Sequence, residues 1–228
     1  MVCSRLFLKS YFTRCLFLKN NQLVDLNFKS LQRTYYQRMA KSALVILAQG
    51  AEEMETVITV DMLRRAGVTV IMAGLDGDKP VLCSRQITLV PDKSLENACK
   101  EKSLYDAVIL PGGLEGADRL SKSEVVGGIL KEHEKDGRIL AAICAAPTVF
   151  VTHGVALNKK LTSYPTTKEK IPTDLYTYVE GDRVVVDGNV VTSRGPGTAY
   201  WFGLALIELL QGKEEALKVE KGMVIDCY

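Results

Sequence analysis

The sequence predicts an α/β fold built on a mainly parallel sheet. Three short apolar runs, at 43–48, 105–110 and 139–143, have the composition of strands that are buried on both faces. Segments with a helical spacing of apolar residues separate these runs, and no long linker or internal repeat interrupts the alternation. A chain of 228 residues that is 47% hydrophobic and 25% charged can bury the core of one such domain.

The elements follow one another in a regular order. We predict strand 43–48, helix 56–66, strand 68–73, strand 87–90 after a short hairpin, helix 95–100, strand 105–110, helix 123–135, strand 139–143, a helix from Pro147, strands 176–179, 183–186 and 190–192, helix 197–210 and helix 213–219. Gly67 ends the first helix, because glycine is favoured just past a helix C-terminus. Asp187 and Gly188 are predicted to form the turn of a hairpin.

Residues 1–40 differ in composition from the rest of the chain. They carry seven basic residues and one acidic residue, and because the whole chain has a net charge of +2, the remaining residues sum to −4. An amphipathic, acid-poor N-terminus with spaced Arg and Lys resembles a mitochondrial presequence. A disordered tail, or an upstream start read through to Met39, would look the same. We expect a leader over 1–40 and one domain over 41–228, whose negative charge gives no case for direct nucleic-acid binding.

The six cysteines indicate neither a zinc site nor a disulfide framework. They stand at positions 3, 15, 83, 99, 144 and 227, with no C-x-x-C pair, and the chain has two histidines. Scattered single cysteines are typical of a reducing compartment. No apolar run reaches the ~20 residues that a helix needs to span a bilayer. We expect no metal, no cofactor and no membrane partner.

One cysteine stands at a strand-to-helix turn. The apolar run 139–143 ends at Cys144, and Pro147 suits the first turn of the helix that follows. The free N–H groups of a helix start favour a thiolate, which is the reactive form of cysteine. We therefore predict an exposed nucleophile of low pKa at Cys144, in a turn that resembles a nucleophile elbow. A small cysteine that fills the core is the alternative on this stretch alone.

Two other strand ends carry candidate partners for this sulfur. The acids Glu52, Glu53 and Glu55 follow the first strand, and Gly112 and Gly113 follow the strand that ends at 110. If the strands are neighbours, their carboxyl ends converge. One acid would then face the sulfur, and burial beside it would raise the pKa of that carboxyl and keep it protonated. Acids that complement a helix dipole, and glycines in a plain turn, are the alternatives.

The two histidines argue against a cysteine hydrolase, which normally has a histidine beside its sulfur. His153 lies nine residues after Cys144, ~13 Å along the intervening helix. His133 lies in a charged helical segment, where we expect it on the solvated surface. Since neither is suited to act as the base, the sequence disfavours peptidase activity.

Five stretches together carry a resemblance to a known family. They are residues 43–57, Cys83-Ser84-Arg85, Leu110-Pro111-Gly112-Gly113, residues 141–145 and residues 192–198. In content and order they resemble the DJ-1/PfpI family, in the superfamily of PfpI-type proteases and class I glutamine amidotransferases, over a span from about Lys41 to about Ile225. The resemblance implies a flavodoxin-like sandwich with helices on both faces of the sheet, and a homodimer.

The resemblance also implies roles for individual residues. Cys144 would be the reactive cysteine and Glu55 the protonated acid that touches it. The supporting residues would be Gly113 and Ala145 as backbone N–H donors, with Glu52 and Arg85 as polar residues near the site and the dimer interface. The protease branch carries histidine directly after its cysteine, so Ala145 argues against that branch.

Two positions depart from the family pattern. Tyr164 stands in Ser163-Tyr164-Pro165, where the family usually has histidine, and a phenol can hydrogen-bond but is a poor base at neutral pH. Ala146 replaces a family glycine. The 40-residue leader lies outside the usual span of the family.

Two functions are open at this point. One is a cytoprotective redox sensor of the oxidative-stress response, in which peroxide oxidises Cys144 to sulfenic and then sulfinic acid. The other is a cofactor-independent glyoxalase or protein deglycase, in which Cys144 adds to methylglyoxal or its adducts and Glu55 moves a proton. Tyr164 weakens the second. The leader and the resemblance together imply a cytoplasmic and mitochondrial location, and the resemblance alone a nuclear one.

Overall fold

The structure is a computed structural model that describes residues 41–225. Its strands are β1 (Ser42–Leu47), β2 (Thr69–Gly74), β3 (Val81–Leu82), β4 (Thr88–Leu89), β5 (Lys93–Ser94), β6 (Ala107–Leu110), β7 (Ile139–Ile143), β8 (Lys160–Leu161), β9 (Thr177–Tyr178), β10 (Val184–Asp187) and β11 (Val190–Ser193). Its α-helices are α1 (Glu53–Arg65), α2 (Leu95–Glu101), α3 (Leu114–Lys122), α4 (Glu124–Lys135), α5 (Pro147–His153), α6 (Ala199–Gln211) and α7 (Lys213–Gly222), with 3₁₀ turns at Pro165–Lys170 and Pro196–Thr198. The predicted leader over 1–40 lies outside the described residues.

Seven strands form the main sheet, in the order β10-β11-β7-β6-β1-β2-β5. Every neighbouring pair in it is parallel except β10 and β11. The six residues of the inner strand β1 are all buried, as expected of a strand covered on both faces. The order places β7, β6 and β1 side by side, so the three strand ends singled out in the sequence meet at one edge of the sheet.

Helices cover both faces of this sheet. Alternate residues of a strand point to opposite faces, so Leu44 and Ile46 belong to one core, with α2 to α5, while Ala43 and Val45 belong to the other, with α1, α6 and α7. The predicted flavodoxin-like α/β sandwich is confirmed. In the described part of the chain, no helix is both long and apolar enough to cross a membrane.

Two differences from the predicted helices bear on the functional site. Helix α1 begins at Glu53, three residues before the predicted start, because the Glu52 side chain caps it. Helix α3 was not predicted at all and follows Gly113 directly. Only Gly116, Ala117 and Leu120 of this helix are buried, so its apolar pattern in the sequence is weak.

The remaining differences concern hairpins and strand ends. Strands β3 and β4 form a small sheet of their own, and the unpredicted β5 joins the edge of the main sheet. The later hairpin turns at Gly188 and Asn189 rather than at Asp187, because Asp187 pairs with Val190. The segment before α6 is a 3₁₀ turn rather than part of that helix.

His133 is buried in the core, so its predicted place on the solvated surface is wrong. The ring Nε2 accepts the Tyr105 N–H at 3.0 Å, and Nδ1 donates to the Ile129 carbonyl at 2.7 Å. Both contacts are satisfied by one neutral tautomer. Burial lowers the pKa of this imidazole, because it disfavours the charged form.

We expect His133 to make the fold sensitive to acid. In the unfolded chain this residue binds a proton with the ordinary histidine pKa of about 6.5, whereas in the folded chain its pKa is lower. The free energy of unfolding therefore falls as pH drops below about 6.5. Glutamine in His133→Gln has a donor and an acceptor but does not titrate. The stability of this variant relative to wild type should therefore rise as the pH is lowered from 7.5 to 5. His133→Ala leaves the Tyr105 N–H unpaired and should cost about 1–3 kcal/mol at pH 7.5. Urea unfolding measures both effects, and parallel pH curves for wild type and His133→Gln would contradict the prediction.

Candidate active site

Cys144 lies in a left-handed turn between β7 and α5. Its φ of +64° is one that residues other than glycine seldom adopt, and such strain persists only where neighbours hold it in place. Two backbone hydrogen bonds hold this turn. The Cys144 N–H donates to the Ser193 carbonyl at 3.0 Å, and the Cys144 carbonyl accepts the Tyr164 N–H at 2.7 Å. The predicted strand-to-helix elbow is therefore present, pinned from β11 and from the segment before Pro165.

Glu55 is the acid that faces this cysteine. Its side chain is fully buried, and Oε2 accepts the Gly112 N–H at 2.7 Å. The other oxygen, Oε1, is buried without a well-formed hydrogen bond. The Cys144 thiol is close enough to the carboxyl to alter its pKa through hydrogen bonding. A buried carboxyl with one unsatisfied oxygen beside a thiol is an arrangement in which a proton can pass between the two.

Gly112 and Gly113 let the backbone pass between these side chains. A Cβ on Gly112 would lie 2.5 Å from the Cys144 Cβ and 2.6 Å from Oε2 of Glu55, so no larger residue fits there. Gly113 has a φ of +85°. The N–H groups of Gly113 and Ala145 lie close enough to the Cys144 sulfur to oppose the rise in its pKa. The two backbone donors named from the family resemblance thus lie at the sulfur.

The pKa values of the pair run against part of the prediction. Burial raises the pKa of Glu55 to about 8. Burial, and then the negative charge of Glu55, raise the pKa of Cys144 to about 12. The expectation of an exposed thiol of low pKa is wrong, because only 8% of the residue is exposed and desolvation outweighs the amide donors. Since the two groups interact directly, they titrate together, and the pair loses its first proton near pH 8.

The sulfur nevertheless opens onto a cavity of about 570 Å³. Glu52, Arg85, Gly113 and Tyr164 line the same cavity, so the residues named from the sequence converge around Cys144. Within residues 41–225, no group of three His, Cys, Asp or Glu side chains is arranged to hold a metal ion. The arrangement can supply a nucleophilic sulfur, a protonated acid and backbone donors for a developing negative charge.

Glu53 has a structural task that the sequence did not reveal. Its carboxylate accepts the Ser84 hydroxyl at 2.9 Å and the Arg85 N–H at 2.8 Å, and so anchors the loop after β3 at the rim of the cavity. Burial opposes ionisation of Glu53, but these and further hydrogen bonds outweigh it and lower its pKa. A contact across some thirty residues of chain leaves no signal in the spacing of a single sequence.

The comparison with known proteins decides the family. Residues 41–209 match the family model described as the DJ-1/PfpI family. The chain belongs to this family. Protein dj-1beta of Drosophila melanogaster is 52% identical over 187 residues, which cover 82% of this chain and 98% of that protein. Its crystal structure matches with a TM-score of 0.80 at 51% identity, covering 83% of this chain and all of that one.

Two further members of the DJ-1/PfpI family are similar over nearly the same span. The glutathione-independent glyoxalase DJR-1.2 of Caenorhabditis elegans is 39% identical over 186 residues, which cover 81% of this chain and 97% of that protein. A structure described as Toxoplasma gondii DJ-1, oxidized, has a TM-score of 0.74 at 36% identity, covering 81% of this chain and 98% of that one. The matched regions contain the whole Cys144 site.

Proposed function

We propose that this protein is a redox sensor of the oxidative-stress response, in which peroxide oxidises Cys144 to a sulfinic acid. The observation that carries the proposal is the set of groups around one sulfur: the N–H groups of Gly113 and Ala145 and the carboxyl of Glu55. Sulfinate oxygens carry negative charge and accept hydrogen bonds, so the same donors would hold the oxidised product. A structurally similar protein is described as Toxoplasma gondii DJ-1, oxidized, which supports an oxidation-based function.

The reactive species is the singly ionised Cys144–Glu55 pair. Its first proton leaves near pH 8 and mainly from Glu55, so at pH 7 a minority of the molecules carry the anion and a smaller share carry it on sulfur. The charge resides on sulfur when Glu55 keeps the remaining proton and donates it to the thiolate. The negative charge of Glu55 that raises the pKa of Cys144 is then absent. Burial raises the pKa of Cys83 to about 11, the charges of Glu53 and Glu52 add to this rise, and its thiol donates to the Val81 carbonyl rather than to a carboxyl.

The oxidation balances with peroxide as the oxidant. The thiolate attacks one peroxide oxygen, the O–O bond breaks, and the departing hydroxide takes up a proton to leave as water. The resulting sulfenic acid reacts with a second peroxide in the same way and becomes a sulfinic acid. Each step oxidises sulfur by two electrons and reduces one peroxide to water.

Mass spectrometry after mild peroxide treatment tests this proposal. Trypsin releases Cys144 in the peptide 139–159, which contains no methionine and no second cysteine. We expect this peptide to gain two oxygen atoms before any peptide that contains Cys83 or Cys99. A first sulfinic acid on either of those cysteines would refute the sensor.

A second candidate function is a glyoxalase or protein deglycase, and a specific observation favours it. Burial sets the pKa of Glu55 at about 8, which is close to the pH at which a general acid–base group is most effective. Cys144 would add to the aldehyde carbon of methylglyoxal, and Glu55 would carry the proton from that carbon to its neighbour. Water then releases lactate and restores the thiol. A relative named as a glutathione-independent glyoxalase supports this reading.

Tyr164 gives a test of this second function. Its ring packs against Gly195 at the cavity wall, and its phenol is a poorer proton carrier at neutral pH than an imidazole. We expect Tyr164→His to raise lactate formation from methylglyoxal by about tenfold or more, because a positioned histidine typically contributes at least that much. Tyr164→Phe, which keeps the ring, should stay near wild type. No gain from histidine would show that this wall of the cavity takes no part in turnover.

The same family membership supports a homodimer as the acting form. Met54 and Val57 on α1, with Leu82 and Ile87 on the β3–β4 hairpin, are large apolar residues of which 39–53% is exposed, next to the cavity rim. Covering this surface with a second copy would remove apolar area from water. Sedimentation equilibrium tests the dimer, and a single species of monomer mass would contradict it.

Location in cytoplasm and mitochondria stays a prediction, because it depends on residues 1–40.

A further inference from the structure

Glu52 lies in the Cys144 site without touching the sulfur. It is 8% exposed, lines the cavity and caps α1, the helix that carries Glu55. We propose that Glu52 is a positioning residue that holds Glu55 in place and sets the pH at which the Cys144–Glu55 pair ionises. The inference rests on the proposed function in one respect, that the pair is the reactive centre.

Three hydrogen bonds close a ring that contains Glu52, Gly112 and Glu55. The Glu52 N–H donates to the Gly112 carbonyl at 3.0 Å. The Gly112 N–H donates to Oε2 of Glu55 at 2.7 Å, and the Glu55 N–H donates to Oε2 of Glu52 at 2.8 Å. Each residue is therefore tied to both others, and loss of the Glu52 carboxylate opens the ring at the residue next to the sulfur.

The charges around the ring make Glu52 an electrostatic neighbour of the pair. Three residues face the Glu55 carboxyl: Cys144, which follows β7; the uncharged Gly112, which follows β6; and Glu52, at the start of the helix that carries Glu55. The charge of Glu52 adds to the burial that raises the pKa of Glu55. Burial raises the pKa of Glu52, and the hydrogen bond from the Glu55 N–H opposes this rise. The charge of the adjacent Glu53 raises the same pKa further, whereas Arg85, in the loop after β3, lowers it. A carboxylate in this position repels a negative charge on Glu55, the member of the pair that it contacts.

Two substitutions separate the charge from the hydrogen bond. Glu52→Gln keeps an oxygen that can accept the Glu55 N–H but removes the charge, so the pair should ionise at lower pH. Glu52→Asp keeps the charge on a shorter side chain. Asp61→Asn is the matched control, because it removes one exposed carboxylate from the same helix about two turns further on, where it pairs with Arg65.

The measurement is the rate of iodoacetamide alkylation of Cys144 against pH, followed on peptide 139–159. At pH 7 we expect Glu52→Gln to react about three- to tenfold faster than wild type, with its midpoint at lower pH. Glu52→Asp and Asp61→Asn should keep the wild-type midpoint. An unchanged midpoint in Glu52→Gln, or an equal shift in Asp61→Asn, would overturn the inference.

A measurement on the wild type keeps the inference testable if a variant fails to fold. The ¹³C carboxyl signal of Glu55 should titrate near pH 8, with a smaller step at the pH where Glu52 ionises. A single step that ignores Glu52 would refute the coupling. Alkylation and NMR report ionisation whether or not peroxide is sensed, so a missing sulfinic acid would refute the proposed function and leave this inference standing.

Discussion

Cys144→Ala is expected to abolish both chemistries proposed for this site. Aldehyde turnover should fall by more than about 1,000-fold, because the sulfur is the atom that forms the covalent bond. The sulfinic acid on peptide 139–159 should disappear, since no other atom of that peptide is an oxidisable thiol. Alanine keeps the Cβ that already occupies this strained backbone, so stability should change by no more than about 1 kcal/mol.

Cys99→Ser is the matched control for this substitution. Cys99 is half-buried, and burial raises its pKa, but it lies outside the cavity that contains Cys144. Its replacement should leave lactate formation and the peroxide product unchanged. Residual turnover in Cys144→Ala would show that Cys144 is not the reactive cysteine. Oxidation of Cys99 in place of Cys144 in the wild type would show the same.

The fold could be predicted well because its signals are local. The apolar runs that became β1, β6 and β7 are continuous, and turn residues such as Gly67 mark helix ends at their own positions. Helix α3 was missed for a physical reason. Its buried residues, Gly116, Ala117 and Leu120, are few and mostly small, and charged residues occupy much of the remaining surface.

The site could be predicted in its members but not in its energetics. The sequence pattern placed Cys144 at the start of a helix with one of three acids near it, and the family resemblance named Glu55 as that acid. Both residues lie there. The balance between amide donors and desolvation depends on how deeply the sulfur is buried, and burial is a property of the packed structure. His133 shows the same limit: charged neighbours along the chain suggested solvent, yet the ring points into the core between Tyr105 and Ile129.

Glu55→Gln should separate the two proposed functions. The amide is neutral, has an oxygen for the Gly112 N–H and can donate to sulfur, but it cannot accept and return a proton. Lactate formation should therefore fall by about 100- to 10,000-fold, whereas the sulfinic acid on Cys144 should still form. Asp61→Asn serves again as the control on the same helix. Loss of both activities would mean that Glu55 is needed to generate the thiolate itself, and retention of both would remove it from catalysis.

The same substitution should also change how stability depends on pH. Folded Glu55 has a pKa of about 8 against an ordinary value of 4.5 for a solvated glutamate, so the folded protein holds a proton there that the unfolded chain releases. Stability therefore falls as pH rises from about 4.5 towards 8. Glutamine does not titrate, and Glu55→Gln should gain on wild type by on the order of 3–5 kcal/mol between pH 5 and pH 8. Urea unfolding at the two pH values measures the gain, and the contribution of His133 cancels because both proteins contain it. If the two proteins differed in stability by the same amount at pH 5 and at pH 8, Glu55 would be ionised at both pH values. It would then have no proton to donate to Cys144 or to share with it.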